Sequence, residues 1–361
     1  MTVLSLWEAE KAKLHTWYHN PLEGCVSSNG RPYSISLKRG NTNKLLVFFV
    51  GGGGSWNEET AARPLTVAST LMGEDAYYIS DLSAFEMEFM HVGILNATDR
   101  RNPFHGWDML TLPYSTADFH IGNNDYPYKD TKGRDKVLHH HGARNVQMAL
   151  EVLREFHSET PEILAIAGLS AGAFGCVAHC AQIEKLYPEC KNIVVYSEGS
   201  HLHSAQWPAI IRDIWKASPD LVEYSNSNDL IVDLFRYAHD KMPPHTKFLH
   251  SNSLWDKELT RFMYKMNHDS FLINEEALQE FNATLLSVVK TLRSEIDNYS
   301  YYITDYERSR IDGTTPHTFS GTPLLLYHTM QNGLSIADWL RQAFEREPFD
   351  VGEELIEETW Q

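Results

Sequence analysis

The sequence is short of cysteine, with four residues, Cys25, Cys176, Cys180 and Cys190, in a chain of 361. That density excludes a fold stapled by disulfides. No stretch approaches 18 consecutive apolar residues, so no membrane-spanning helix is expected. Positive charge is scarce too: 31 Lys and Arg stand against 48 Asp and Glu, a formal net charge of −17. A chain this acidic, with no basic cluster interleaved with aromatics, repels phosphate backbones and anionic lipid, which argues against nucleic-acid and membrane partners. The absence of fixed-period repeats and low-complexity tracts excludes a solenoid or a disordered chain. No Pro/Gly/Ser linker divides the sequence. We therefore expect one α/β domain over residues 1–361, with insertions near 74–106 and 201–245 and a solvated acidic tail over about 345–361. The first residues, Met1–Lys13, lack the basic start and apolar run of a signal peptide, so a cytoplasmic protein is expected.

What is present reads as strands alternating with helices. The run Leu45–Val50 (LLVFFV) is apolar on both faces and of strand length, as a central parallel strand requires. Further strands are expected near 33–38, 108–113, 163–167, 193–196, 247–250 and 301–304. Helices are expected over 4–18, 58–72, 144–156, 171–186, 207–216, 229–240 and 336–344, and a long polar loop over about 114–133. This pattern predicts a mostly parallel sheet covered by helices on both sides.

The sharpest chemical signal is Gly168-Leu169-Ser170-Ala171-Gly172. It follows the apolar strand EILAIA and opens a helix of small residues, AGAFGCVAHC. A nucleophile elbow needs that strand–turn–helix setting: the serine occupies a strained turn and projects from the sheet, while glycines let strand and helix close around it. The bland alternative is a glycine-rich turn with an incidental serine.

A serine hydroxyl needs a base and an oxyanion hole. Gly51–Gly54 follows an earlier strand, as the glycine loop of lipases does. It makes the amides of Gly53, Gly54 and Ser55, with that of Ala171, the oxyanion candidates. A phosphate loop is the alternative, but GGGGSW lacks the GK[ST] ending and the GxGxxG spacing. In this architecture the base follows the serine, with an acid between them. His317 sits in a Gly/Thr/Pro loop after the last expected strand, where such a base lies. Asp256 follows the strand KFLHSN at a strand-to-helix turn, with Asp269, Asp305 and Asp312 as competitors and a helix-cap role as the ordinary alternative.

With these residues in order, the chain resembles the pectin acetylesterase or Notum-like family of serine esterases, and within it the bacterial branch. Gly52-Gly53-Gly54-Ser55-Trp56 echoes the family's glycine-rich segment. Leu112-Pro113-Tyr114 followed by Asp118-Phe119-His120 echoes its "IPY…D" segment, Gly168–Gly175 its elbow, and His141-Gly142 with Asn145 its HxG..N. The resemblance implies a triad of Ser170, His317 and Asp256, the last by the match of Leu254-Trp255-Asp256 to the family's acid. The family's cysteines are missing, and its Asp-x-Gly appears as Ser197-Glu198-Gly199, which points away from pectin itself. The expected activity is hydrolysis of small O-acyl esters, acetyl first, through an acyl-enzyme. A lipid or thioester deacylase, an acyltransferase and a silent binding fold are the alternatives.

The expected pocket residues are Trp56, Asn57, Asp118, His120 and Trp255, with loop fixing or core packing as their alternatives. His139-His140-His141 and His201-x-His203 are not followed by a ligand at the spacing of a zinc motif, so neither metal nor cofactor is expected. The one expected partner is a small-molecule ester.

Overall fold

The computed structural model describes residues 4–357. Its strands are β1 (Ser5–Leu6), β2 (Trp17–Val26), β3 (Pro32–Lys38), β4 (Lys44–Phe49), β5 (Pro64–Leu65), β6 (Tyr78–Ile79), β7 (Asp108–Leu112), β8 (Asn124–Lys129), β9 (Asp135–His140), β10 (Ile163–Leu169), β11 (Ile193–Glu198), β12 (Thr246–Ser253) and β13 (Tyr299–Thr304). Nine of them form one sheet in the order β1-β2-β3-β7-β4-β10-β11-β12-β13. From β7 through β13 every neighbouring pair is parallel, and only β3 runs antiparallel to the strands beside it. Helices flank this mostly parallel sheet, as in an α/β hydrolase.

The apolar strands lie at the centre because only there are both faces covered. Leu45 to Phe49 of β4 and Leu164 to Ala167 of β10 are all buried. The helix Ala171–Glu184 packs on β10, β11 and β4, and its small residues permit close approach: no residue in it from Ala171 to Ala181 is exposed. Register fixes what happens at one end. Gly168 pairs with Phe49 on one side and Ser197 on the other, so the carboxyl ends of β4, β10 and β11 finish level. Open α/β sheets bind ligands at that edge.

Several elements differ from the sequence expectation. No helix spans 4–18; β1 lies there instead, pairing Ser5 with Tyr18, and Trp17 opens β2. The apolar spacing suited a helix, but the aromatic pair Trp17-Tyr18 suits a pleated, half-buried surface. The helix expected over 58–72 is two, Glu58–Ala61 and Val67–Met72, broken around Pro64. Within the expected polar loop lies the start of a hairpin, β8–β9, with alternating exposure along β8. The expected acidic tail is not free as far as residue 357: Val351 bridges Tyr302 of β13, Val351 and Ile356 are buried, and Asp350 meets Arg293 at 2.7 Å. These apolar residues cap the sheet's last edge, which an open β13 would expose. Residues 358–361 of that tail lie outside the described residues. Among the described residues no helix is long and apolar enough to cross a membrane.

Candidate active site

Ser170 ends β10 and caps the helix Ala171–Glu184, with φ 54° and ψ −126°. That backbone is costly for a residue with a side chain, of order 1–3 kcal/mol. Its surroundings hold it there. The Ser170 amide donates to the Glu198 carbonyl at 2.8 Å, and the Ser170 carbonyl accepts from Ala173 at 2.9 Å. The two flanking glycines are required by contact: a Cβ on Gly168 would lie 2.1 Å from the Gly172 carbonyl oxygen, and one on Gly172 2.1 Å from that of Phe49.

Ser170 and His317 line the same cavity, about 560 Å³ in volume, together with Gly51, Gly52, Gly53 and Ala171. Its walls are mostly apolar, built from Tyr77, Ile79, Phe119, Phe174, Leu259 and Phe262. His317 reaches it from the loop after β13, held by the pairing of Thr315 with Trp255 and Asp256 at the end of β12. His317 Nδ1 lies 2.7 Å from Asp256 Oδ2. An ionised carboxylate only accepts, so Nδ1 carries the proton and Nε2 keeps its lone pair. Asp256 is fully buried and does two jobs. Its Oδ1 accepts from the Leu259 amide at 2.9 Å, capping the helix Lys257–His268, while Oδ2 serves the imidazole. The competitors stand elsewhere: Asp269 pairs with Lys265, Asp312 with Lys257 and Thr314, and Asp305 is exposed just after β13.

Burial pulls the His317 pKa down, but the charge and hydrogen bond of Asp256, joined by Glu258 and Glu198, outweigh it and hold the imidazole above its ordinary value. Burial raises the Asp256 carboxyl, and His317 opposes that rise.

The oxyanion candidates need correction. The Gly54 amide donates to the Tyr77 carbonyl at 2.8 Å and that of Ser55 to the Ala117 carbonyl at 2.9 Å, and neither residue lines the cavity. Among the described residues no protein acceptor takes the amides of Gly52, Gly53 or Ala171, all of which do line it. Unspent amides at a cavity wall are what an oxyanion requires.

The five expected pocket residues all stand behind the cavity. Asn57 caps the helix Glu58–Ala61 through the Thr60 amide, at 2.9 Å. Trp56 is buried edge-on to Tyr77 at 5.6 Å and supports that wall. Trp255 stacks under Arg308 at 3.9 Å and braces the His317 loop through Thr315. Asp118 is buried and accepts from Thr116 Oγ1 at 2.6 Å, the His120 amide at 3.1 Å and the Gly142 amide at 2.8 Å. Burial raises its carboxyl to about 7 against those bonds. His120 is held neutral by burial, its pKa lowered to about 3, with Nε2 3.0 Å from the Val50 carbonyl oxygen. Both knot a loop whose Ala117, Phe119 and His120 all have positive φ. The product of that strained loop is Phe119, stacked on Phe174 at 4.5 Å in the cavity wall.

One residue escaped the sequence reading. Glu198, fully buried at the end of β11, accepts from the Phe319 amide, from the Ser320 amide at 3.0 Å and from the Ser320 hydroxyl, while its own carbonyl holds Ser170. It ties the serine turn to the histidine loop. Its signal was a carboxylate closing an apolar strand in Ser197-Glu198-Gly199.

A family model described as pectinacetylesterase matches residues 8–311, a span that includes Ser170 and Asp256 and ends before His317. A search of curated proteins finds no match.

Proposed function

The chain belongs to the pectinacetylesterase family, a family of carboxylesterases, and from that premise we propose that it hydrolyses small O-acyl esters, acetyl esters first, with Ser170 as nucleophile. His317 Nε2 takes the Ser170 proton as Oγ adds to the ester carbonyl, and Asp256 steadies the imidazolium formed. The carbonyl oxygen, now negative, is received by the amides of Gly52, Gly53 and Ala171, the last favoured further by the helix N-terminus behind it. Collapse expels the alcohol, which takes its proton from His317. Water then repeats the sequence and frees the acid. The observation that carries this reading is the 2.7 Å Asp256–His317 bond, set in the wall of a cavity shared with a strained Ser170.

The test is turnover of p-nitrophenyl acetate and labelling by a fluorophosphonate, in wild type and Ser170→Ala. Turnover and labelling lost together in a folded variant support the reading. A folded wild type that does neither refutes it and moves a silent binding fold to the front.

A second reading concerns acyl length. A largely apolar cavity of about 560 Å³ exceeds the needs of an acetyl group and falls in the range that holds whole small molecules. A longer acyl chain would bury against Phe119, Phe174 and Phe262. A kcat/KM that rises from acetate to butyrate and octanoate favours it; a steep fall restores the acetylesterase.

A further inference from the structure

The hairpin β8–β9 brings together three residues that the reaction does not use. Asp125 and His139 are directly opposite in the antiparallel register. His141 follows two residues on and presents to the same face, while His140 turns inward and lies 3.0 Å from the Thr116 carbonyl oxygen. Asp125 Oδ1 lies 2.6 Å from His139 Nδ1 and 2.9 Å from His141 Nε2. One atom from each of the three residues falls within 4.8 Å of the others. The rings keep 27% and 20% of their surface, so an ion can reach them from solvent.

We propose that Asp125, His139 and His141 form a site for a divalent transition metal of the zinc type, with a fourth position open to water. The donor set decides the class: two imidazole nitrogens and one carboxylate suit zinc, cobalt or nickel, whereas calcium and magnesium want a shell of oxygens. The two Asp125 contacts need little change, and the ligand atoms of His139 and His141, within 4.8 Å of each other, must close by at most about 1.5 Å. Zinc bonds near 2.0–2.2 Å in a tetrahedron put ligand atoms about 3.3 Å apart, so the two contacts of Asp125 must open by less than about 1 Å. Asp125, 61% exposed, can open them by side-chain rotation.

The scaffold is already fixed. The His139 amide donates to the Ser28 carbonyl at 2.9 Å, the Asn123 amide to Trp215, and the Asn124 side chain to Ile214, both at 2.8 Å. His141 caps the helix Gly142–Phe156. The ion would therefore clamp the open end of the hairpin to the start of that helix. The H-x-H spacing carries no zinc motif by itself, because the third ligand arrives across the hairpin.

The test is calorimetric titration of the chelator-stripped full chain with Zn²⁺ alone. One equivalent at micromolar affinity or tighter is expected, and Asp125→Asn, His139→Gln and His141→Gln should each weaken it at least tenfold. Co²⁺ bound to wild type should give the intense visible absorption of a four-coordinate site, which Zn²⁺ then displaces. Saturating Zn²⁺ should raise the melting temperature of wild type by about 2 °C or more and leave that of His139→Gln unmoved. Undiminished binding in a His139→Gln/His141→Gln double variant would overturn the proposal and place the ion at another histidine–carboxylate pair, such as His203–Asp229 or His268–Glu280. A folded wild type that binds no Zn²⁺ below millimolar concentration would overturn it as well.

Discussion

Asp256→Asn separates the two jobs of one side chain. In wild type, Oδ1 caps a helix and Oδ2 fixes a tautomer, 2.9 Å from the Leu259 amide and 2.7 Å from His317 Nδ1. The asparagine has one oxygen and one amide nitrogen to fill both places. The cap requires an acceptor, so the oxygen goes to Leu259 and the –NH₂ faces the imidazole. His317 Nδ1 must then accept, which moves its proton to Nε2, where it cannot take one from Ser170. Asparagine caps about as well as aspartate, so at a pH above the His317 titration, where the ion pair no longer contributes, stability should change by less than about 0.5 kcal/mol. The rate loss should be about 10³- to 10⁴-fold in kcat, equivalent to about 4–5.5 kcal/mol at about 1.36 kcal/mol per decade. The assay is kcat and KM on p-nitrophenyl acetate beside a calorimetric melting curve. Asp256→Ala should lose as much rate and also about 1 kcal/mol of stability from the missing cap. If Asp256→Asn retains activity within tenfold of wild type, the tautomer argument is wrong, and with it the assignment of Asp256.

The proposed mechanism needs His317 neutral, so kcat/KM should fall on the acid side with a midpoint above the ordinary histidine value of about 6.5, and a midpoint well below it would contradict the coupling to Asp256. Because the folded-state pKa is raised, the same pair stabilises the fold fully below the unfolded pKa and loses that contribution as pH rises through the folded one; calorimetry across that window should register the loss. Ser170→Gly should relieve the positive-φ strain that Ser170→Ala retains, and be the more stable of the two by about 1 kcal/mol in denaturant melts; the reverse order would show the turn to be unstrained. Glu198→Ala leaves the Phe319 and Ser320 amides without their acceptor and should cost about 3 kcal/mol together with most of the activity, whereas an unchanged melting curve would sink its role as the tie between the two loops.

Which parts of this site could be read in advance follows from how local their causes are. The turn at Ser170 is made by its neighbours: an apolar strand before it, small residues after it, and two glycines whose missing Cβ atoms are felt within five residues and on β4. Chain order then brought Asp256 and His317 forward, since a strand-end acid and a late loop histidine have few other places in a parallel sheet. Asp256 also met its bland alternative, because the same carboxylate caps a helix, and the two readings were never exclusive. The glycine loop failed at the next level of detail. Whether a glycine amide is free depends on distant acceptors, and it is Tyr77 and Ala117 that consume Gly54 and Ser55 and leave the amides of Gly52 and Gly53 for the proposed oxyanion hole. Asp118 and His120 misled for a related reason: polar residues in a loop near the strand ends suggest a site, yet burial turned both inward, where they fix the loop that carries Phe119. The hairpin β8–β9 shows the limit from the other side. Its strands are rich in charge, Asn-Asp-Tyr-Pro-Tyr-Lys and Asp-Lys-Val-Leu-His-His, so a hydrophobic pattern had little to mark. The pairing of Asp125 with His139 is a fact of register, which the turn at 130–134, with Gly133 at positive φ, sets only once both flanking segments are strands.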